Sequence, residues 1–270
     1  MTRNPKNMQQ PDYCFYATLL DSYQNYLNTD KIYEKYWGWS DNPPHTLEEF
    51  RQEQFQSFIN TLNRVPFDSE AADRGTAFNE VVDCLIEHRA SDKIKVEKVY
   101  PNVVNNNGFF LVSSPIALKV TYNNREFEFP ISLCREFADY YKGAVPQLYV
   151  EAELPTKYGI VKVYGYADEI MPDCIHDIKT TTSYSVGKYK ENFQHIVYPY
   201  CLNKGECHVD RFEYNIVEFQ KHGYNTYTES YTYDEERDVP RLREQCEDLI
   251  CFINDHKDLI TNKKLFNIHE

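Results

Sequence analysis

The sequence predicts an α/β domain, a central mixed β-sheet flanked by helices with a helical amino-terminal extension. Three observations predict it. Amphipathic helical patterning fills residues 1–72, short alternating runs bounded by turn residues fill 93–170, and strand and helix patterns alternate from there on. No internal repeat, low-complexity tract or linker interrupts the chain. We therefore divide a single domain of 1–270 into the extension (1–72), a core (73–205) and closing strands and helix (206–270).

In the extension, ATLLDSYQNYL and HTLEEFRQEQFQSFINTLNRV are the clear amphipathic stretches, broken at Asn42-Pro43-Pro44. Residues 74–89 form a helix by periodicity, with Phe78, Val81, Val82, Leu85 and Ile86 on one face. The runs KIKVEKVY, GFFLVSS, IALKVTY, REFEFPI, QLYVEAEL and GIVKVYGYADEI read as the strands of the sheet. Turns are expected at Asn105-Asn106-Asn107-Gly108 and at Asn123-Asn124. The strand CIHDIKT, a loop, a helix over about 188–203, the strand pair RFEYNIVEF and NTYTESYTY around His222-Gly223, and a helix over about 238–255 complete the reading.

Composition limits the function classes. A formal net charge of −13 argues against a protein that coats nucleic acid by neutralising phosphates. The acids concentrate late, however, whereas residues 155–195 are balanced and carry Lys157, Lys162, Lys179, Lys188 and Lys190. No run of about 18 apolar residues exists to span a bilayer, and the amino terminus has no apolar secretory stretch, so no membrane role and a cytoplasmic location are expected. The eight cysteines include no CxxC pair and read as buried thiols.

The chemistry concentrates on one hairpin. A symmetric turn on Pro172-Asp173 pairs residues whose numbers sum to 345, which sets Asp168 opposite Asp177. Like charges facing across a strand pair are destabilising, and a bound cation is the economical compensation. Alternation sets Lys179 on the face of Asp177. Two carboxylates and an ammonium suit a Mg²⁺ or Mn²⁺ site in which Asp168 and Asp177 hold the metal, the Ile178 carbonyl adds a ligand and Lys179 assists a nucleophilic water. The competing reading makes Asp168 a turn cap, with Asp177 and Lys179 a solvated strand edge.

The segment from Gly165-Tyr166-Ala167-Asp168 through Asp177-Ile178-Lys179-Thr180-Thr181 to Gln194 and Tyr198 resembles the PD-(D/E)XK nuclease superfamily. The branch is that of recombination helicase–nuclease domains, CRISPR adaptation nucleases and phage exonucleases. Its marks are a glycine before the first aspartate, a D-x-K-T motif and a Q-x-x-x-Y helix. The resemblance implies a restriction-endonuclease-like fold and roles for Gln194 and Tyr198 in positioning the substrate and the lysine. One helical turn apart, the two share a face, although Pro199 disturbs that helix. The branch also has an upstream helix, G-x-x-x-H or G-x-x-x-E, that completes the metal site. Here Gly75 leads to Asn79, followed by Glu80. A helical wheel aims Asn79 at the buried side, and Glu80 is kept as the alternative ligand. Some relatives hold an iron–sulfur cluster on one early and three late cysteines, but Cys14, Cys201, Cys207, Cys246 and Cys251 depart from that spacing.

Other candidates are set aside. Glu151 and Glu153 lie on a strand that turns back near Pro155 to Gly159, which leaves Glu153 roughly 20 Å from Asp168. His176 faces away from Asp177, His195 is expected to be exposed, and Cys207-His208 lacks companion ligands. The expectation is a metal-dependent exonuclease acting on DNA in recombination, repair or a phage or mobile-element context, with a homo-oligomer or a recombination protein as partner by analogy. Its rivals are a DNA-binding module of the same fold that has lost activity and an acidic, non-enzymatic interaction protein.

Overall fold

A computed structural model describes residues 11–101, 114–205 and 207–266. The main sheet has six strands in mixed orientation: β1 (Tyr13–Tyr16), β5 (Val145–Thr156), β6 (Gly159–Met171), β7 (Cys174–Thr181), β8 (Arg211–Gln220) and β9 (Gly223–Thr232). Seven α-helices flank it among the described residues: α1 (Ala17–Leu27), α2 (Thr29–Trp37), α3 (Leu47–Leu62), α4 (Glu70–Ile86), α5 (Ile131–Tyr140), α6 (Gln194–Lys204) and α7 (Glu235–Asp255). The α/β class is as the patterning predicts.

The alternating runs do not form one sheet. β2 (Lys95–Val99), β3 (Ala117–Tyr122) and β4 (Arg125–Pro130) make a separate three-stranded antiparallel sheet. The Asn123-Asn124 turn closes its second hairpin, with both residues at positive φ (48° and 62°), the conformation a two-residue type I′ turn requires. The run REFEFPI continues directly into α5, a helix that the patterning leaves unmarked. The turn at Asn105 to Gly108 and most of the run over 108–114 lie outside the described residues.

The amino-terminal segment is not simply a helical extension. Residues 13–16 form β1, which pairs in parallel with β6 over residues 161–164, and α1 packs against α3, α6 and α7. On its other edge β6 pairs with β5 almost throughout, from Gly159 to Ile170. β1 and β7 must therefore share one edge of β6. β1 takes residues 161–164 and β7 takes 169–171, which leaves the stretch from Gly165 to Asp168 without a strand partner on that edge.

Local chemistry fixes the helix ends. Thr46 and Glu49 form a reciprocal capping box on α3. Ser69 caps α4 through the Ala72 N–H at 3.2 Å, so this helix begins four residues before the predicted start at 74. Asp234 caps α7 through the Arg237 N–H at 2.9 Å. The predicted helix over 188–203 begins only at Gln194, after turns, and runs through Pro199.

Two apolar clusters cover the two faces of the main sheet. One joins Ile175, Phe212, Tyr214 and Ile216 to α1, α6 and α7, and the other joins Ile178 and Val217 to α4, α5 and the small sheet. Alternation along β7 thus divides its residues: Ile175, Asp177 and Lys179 face α6, while Cys174, His176 and Ile178 face α4 and α5.

Candidate active site

The β6–β7 hairpin has the predicted register: Glu169 pairs with His176, Ile170 with Ile175 and Met171 with Cys174. The ladder stops one pair short of Asp168 and Asp177. Asp168 Oδ2 accepts the backbone N–H of Ile178 at 2.9 Å, so a side chain takes up a donor of β7 where strand pairing ends. The two aspartates are brought together by this contact and not as a cross-strand pair.

Asp177, Lys179, Gln194 and Tyr198 form one hydrogen-bonded chain. Lys179 Nζ lies 2.5 Å from Asp177 Oδ2 and donates to Gln194 Oε1 at 2.8 Å. Gln194 Nε2 donates to Asp177 Oδ1 at 2.5 Å and approaches the Tyr198 hydroxyl at 3.2 Å. One amide therefore fixes both the carboxylate and the ammonium, its two ends matched to their opposite charges. Gly165 is where this helix crosses β6, since a Cβ there would sit 2.7 Å from the Tyr198 ring. Gly75 is similarly tight, 3.1 Å from Thr180 Oγ1. Both motif glycines are thus places where another motif residue needs the room.

Asn79, on α4, donates from Nδ2 to Asp168 Oδ2 at 3.1 Å and lines the same cleft. Glu80 does not. Its carboxylate is buried against Arg89 Nη1 (2.7 Å) and Lys93 Nζ (3.0 Å). Burial raises its pKa, but the bonds from Arg89, Ser91 and Lys93 outweigh this and hold it at about 2. Glu80 is already neutralised away from the aspartates, which removes it as the alternative ligand.

The charges respond to this enclosure. Burial, followed by the charge of Asp177, lifts Asp168 to about 7. Burial disfavours the Lys179 ammonium, but Asp177 and Asp168 outweigh it and raise its pKa above the ordinary value, so Lys179 stays charged. Two acceptors in the group are buried without an aligned hydrogen-bond donor, Asn79 Oδ1 and Asp177 Oδ2, the second despite its ion pair with Lys179. Oxygens short of donors around two carboxylates are what a hard cation satisfies. An amide flip would turn Asn79 Oδ1 toward Asp168 at no steric loss.

Sequence reasoning missed several neighbours. The cleft, about 760 Å³, is also lined by Tyr16, Ala17, Thr18, Arg64, Phe67, Tyr164 and Tyr166. Arg64 donates to the Tyr164 hydroxyl at 2.8 Å, and Phe67 is 87 % exposed at the rim. α1 opens here with no side-chain cap and no acid in its first turn. Asp21, also on α1, is buried and accepts the Phe193 N–H at 2.5 Å, which anchors the start of α6. No local signal distinguishes Asp21 from an ordinary helix-surface acid.

No family model and no curated protein matches this chain. Among solved structures, that of the protein SSO0001 aligns over 91 % of this chain and 79 % of its own, at 13 % identity and a TM-score of 0.42. So loose a likeness bears on neither mechanism nor substrate.

The remaining candidates resolve simply. Glu153 pairs with Lys162, far along β6 from Asp168. His176 is packed on the other face, as expected. His195 is buried rather than exposed, stacked on Tyr231 at 4.3 Å, because α6 is enclosed on all sides from Gln194 to Leu202. Of the cysteines, Cys207 is exposed and Cys84 and Cys251 are partly so. The described Cys, His, Asp and Glu residues whose ligating atoms gather within 4.8 Å include none of the five cysteines weighed for a cluster. Among the described residues no helix is long and apolar enough to cross a membrane.

Proposed function

We propose that this chain is a metal-dependent nuclease of the PD-(D/E)XK kind, a cytoplasmic enzyme that hydrolyses DNA phosphodiester bonds with Mg²⁺ or Mn²⁺. The exonuclease role in recombination, repair or a phage or mobile-element context, and a homo-oligomeric or recombination partner, rest on the motif resemblance. The observation that carries the proposal is the Gln194 amide holding Asp177 and Lys179 at once, beside the Asp168–Asn79 contact in one open cleft.

Asp168, Asp177, the Ile178 carbonyl and the Asn79 amide would hold the metal, with Asn79 adding an oxygen but no charge. Such a cation, when bound, polarises a phosphoryl oxygen and lowers the pKa of water. The chain's own groups do the positioning. Lys179, cationic throughout, acts as a hydrogen-bond donor to the attacking water or a phosphate oxygen and not as a base. Gln194 keeps its ammonium beside Asp177, and Tyr198 backs Gln194. The aromatic lining (Tyr16, Tyr164, Tyr166, Phe67) offers apolar faces to bases and Arg64 a cation to the phosphodiester.

The neutral Asn79 also favours a second reading, a DNA-binding module that no longer cuts. Incubation of the chain with linear and circular, single- and double-stranded DNA across Mg²⁺ and Mn²⁺ concentrations separates the two. Metal-dependent cutting that disappears in Asp177→Asn and Lys179→Ala supports the nuclease. Retained binding with no cutting at any metal concentration sinks it in favour of the module.

A further inference from the structure

The face of β7 turned away from the cleft carries a second set of ligating side chains. Cys174 and His176 stand two residues apart on it, and the parallel register sets Glu213 of β8 beside His176. All three are buried. One ligating atom from each lies within 4.8 Å of the other two, the one such group among the described residues.

Part of the surroundings is an ordinary polar network. Glu213 accepts from Tyr140 at 2.9 Å, Arg211 at 3.2 Å and Ser230 at 3.3 Å, and His176 Nδ1 lies 3.0 Å from Asn215 Oδ1 and 3.5 Å from Glu213 Oε2. That network leaves two ends loose. His176 Nε2 is buried without a partner, and the Cys174 thiol meets the carbonyl of its own neighbour, Ile175, at 3.5 Å. With Nδ1 donating to Asn215, the Nε2 lone pair is free, and a buried imidazole normally finds a donor or a metal for it.

We infer that Cys174, His176 and Glu213 form a structural site for a borderline-soft divalent metal ion of the zinc class, with solvent as the fourth ligand. A thiolate and an imidazole select Zn²⁺ or Co²⁺ over Mg²⁺, and a carboxylate completes a familiar mixed set. Tetrahedral bonds of about 2.0–2.3 Å put ligand atoms roughly 3.3–3.8 Å apart, so from the 4.8 Å limit the group closes by at most about 1–1.5 Å, with a turn of the imidazole that brings Nε2 in where Nδ1 now lies beside Glu213. Tyr140, half-exposed beside Glu213, marks the way in for solvent. Coordination replaces the thiol proton, which leaves to solvent as the metal–sulfur bond forms. The ion would tie β7 to β8 directly behind Asp177 and Lys179, stiffening the strand that presents them without entering the cleft. This site does not depend on the nuclease reading.

The test is a Co²⁺ titration of the full chain after chelator treatment, following the near-ultraviolet thiolate-to-cobalt charge-transfer band. The expected result is saturation of the band at one Co²⁺ per chain. The band should vanish in Cys174→Ser yet persist in Cys207→Ser, which removes the exposed thiol, and in Asp177→Asn, which weakens the cleft. No band in the wild type at excess Co²⁺, or a band that survives Cys174→Ser, overturns the assignment. If Cys174→Ser does not fold, zinc-edge X-ray absorption of the zinc-loaded wild type decides. One sulfur among nitrogen and oxygen scatterers supports the site, and a shell without sulfur overturns it.

Discussion

On one face of β7, Asp177 and Lys179 are bound by charged hydrogen bonds to Gln194 and open on a wide cleft. On the other, Ile178 is sealed in an apolar cluster with Phe78, Val81 and Val217, and His176 lies edge-on to Tyr140 and Tyr141. Between residues 177 and 179 the strand thus sets a concentration of charge on one face and, at Ile178, apolar packing on the other. The difference teaches that chemistry and stability are separable here at the level of single neighbours, because alternation turns residues 177 and 178 into opposite environments.

That separation can be attacked directly. Asp177→Asn should reduce metal-dependent cleavage by about 10²–10³-fold, as removal of one preorganised charge-stabilising group commonly does, while the thermal midpoint shifts little, because the counter-charge that Lys179 loses is offset by relief of the repulsion on Asp168, which remains beside the ammonium. A large fall in the midpoint would mean that the charged face also carries the fold. Ile178→Ala should do the reverse, with a cost of about 2–5 kcal/mol in denaturant unfolding from the cavity left against α4 and a smaller effect on rate in the surviving folded protein.

Acid sharpens the comparison through His195, on the α6 side. Burial, with help from Arg241 and Arg237 against Asp238, lowers its pKa to about 4. The folded state thus refuses a proton that the unfolded chain accepts near 6.5. This contribution is fully present above pH 6.5 and is lost as pH falls toward 4, a change on the order of 3 kcal/mol. In melts from pH 7 to 4, His195→Phe should flatten that decline while keeping the stack on Tyr231; an unchanged slope would assign the acid sensitivity elsewhere. Gly165→Ala should push on the Tyr198 ring and cost about 1–3 kcal/mol by overpacking, with a loss of cleavage through Gln194. The smallest effect is expected from Glu80→Gln, which should leave metal affinity in the cleft unchanged by calorimetry; a marked loss there would restore Glu80 as a ligand.

The site was legible where it is local. The Pro172-Asp173 turn sets the register, alternation places Lys179 with Asp177, and the helical wheel prefers Asn79 to Glu80, all short-range geometry. What escaped was non-local. β1 is four residues long and aromatic, runs directly into a helix, and finds its partner almost 150 positions later, so no neighbouring residue announces it. Arg89 and Lys93 neutralise Glu80 from beyond its helix. His195 was misplaced because an amphipathic reading presumes a wet side, and α6 has none between Gln194 and Leu202. The end of the β6–β7 ladder escaped because Asp168 competes for the Ile178 N–H, an exchange of backbone for side chain that alternation cannot express.

The shared edge of β6 forms one wall of the cleft. Pairing of β6 with β1 stops at Tyr164 and its pairing with β7 begins at Glu169, and Gly165, Tyr166 and Asp168 in that interval line the cleft. The length of that stretch is therefore counted in residues, while Arg64, Val65 and Phe67, between α3 and α4, supply another part of the lining. Two further paired residues at the end of β1 would extend the ladder toward Asp168 and shorten the unpaired stretch by two positions. The same count makes the amino-terminal strand, almost 150 positions from its partner, the element whose end leaves Gly165 to Asp168 open to the cleft.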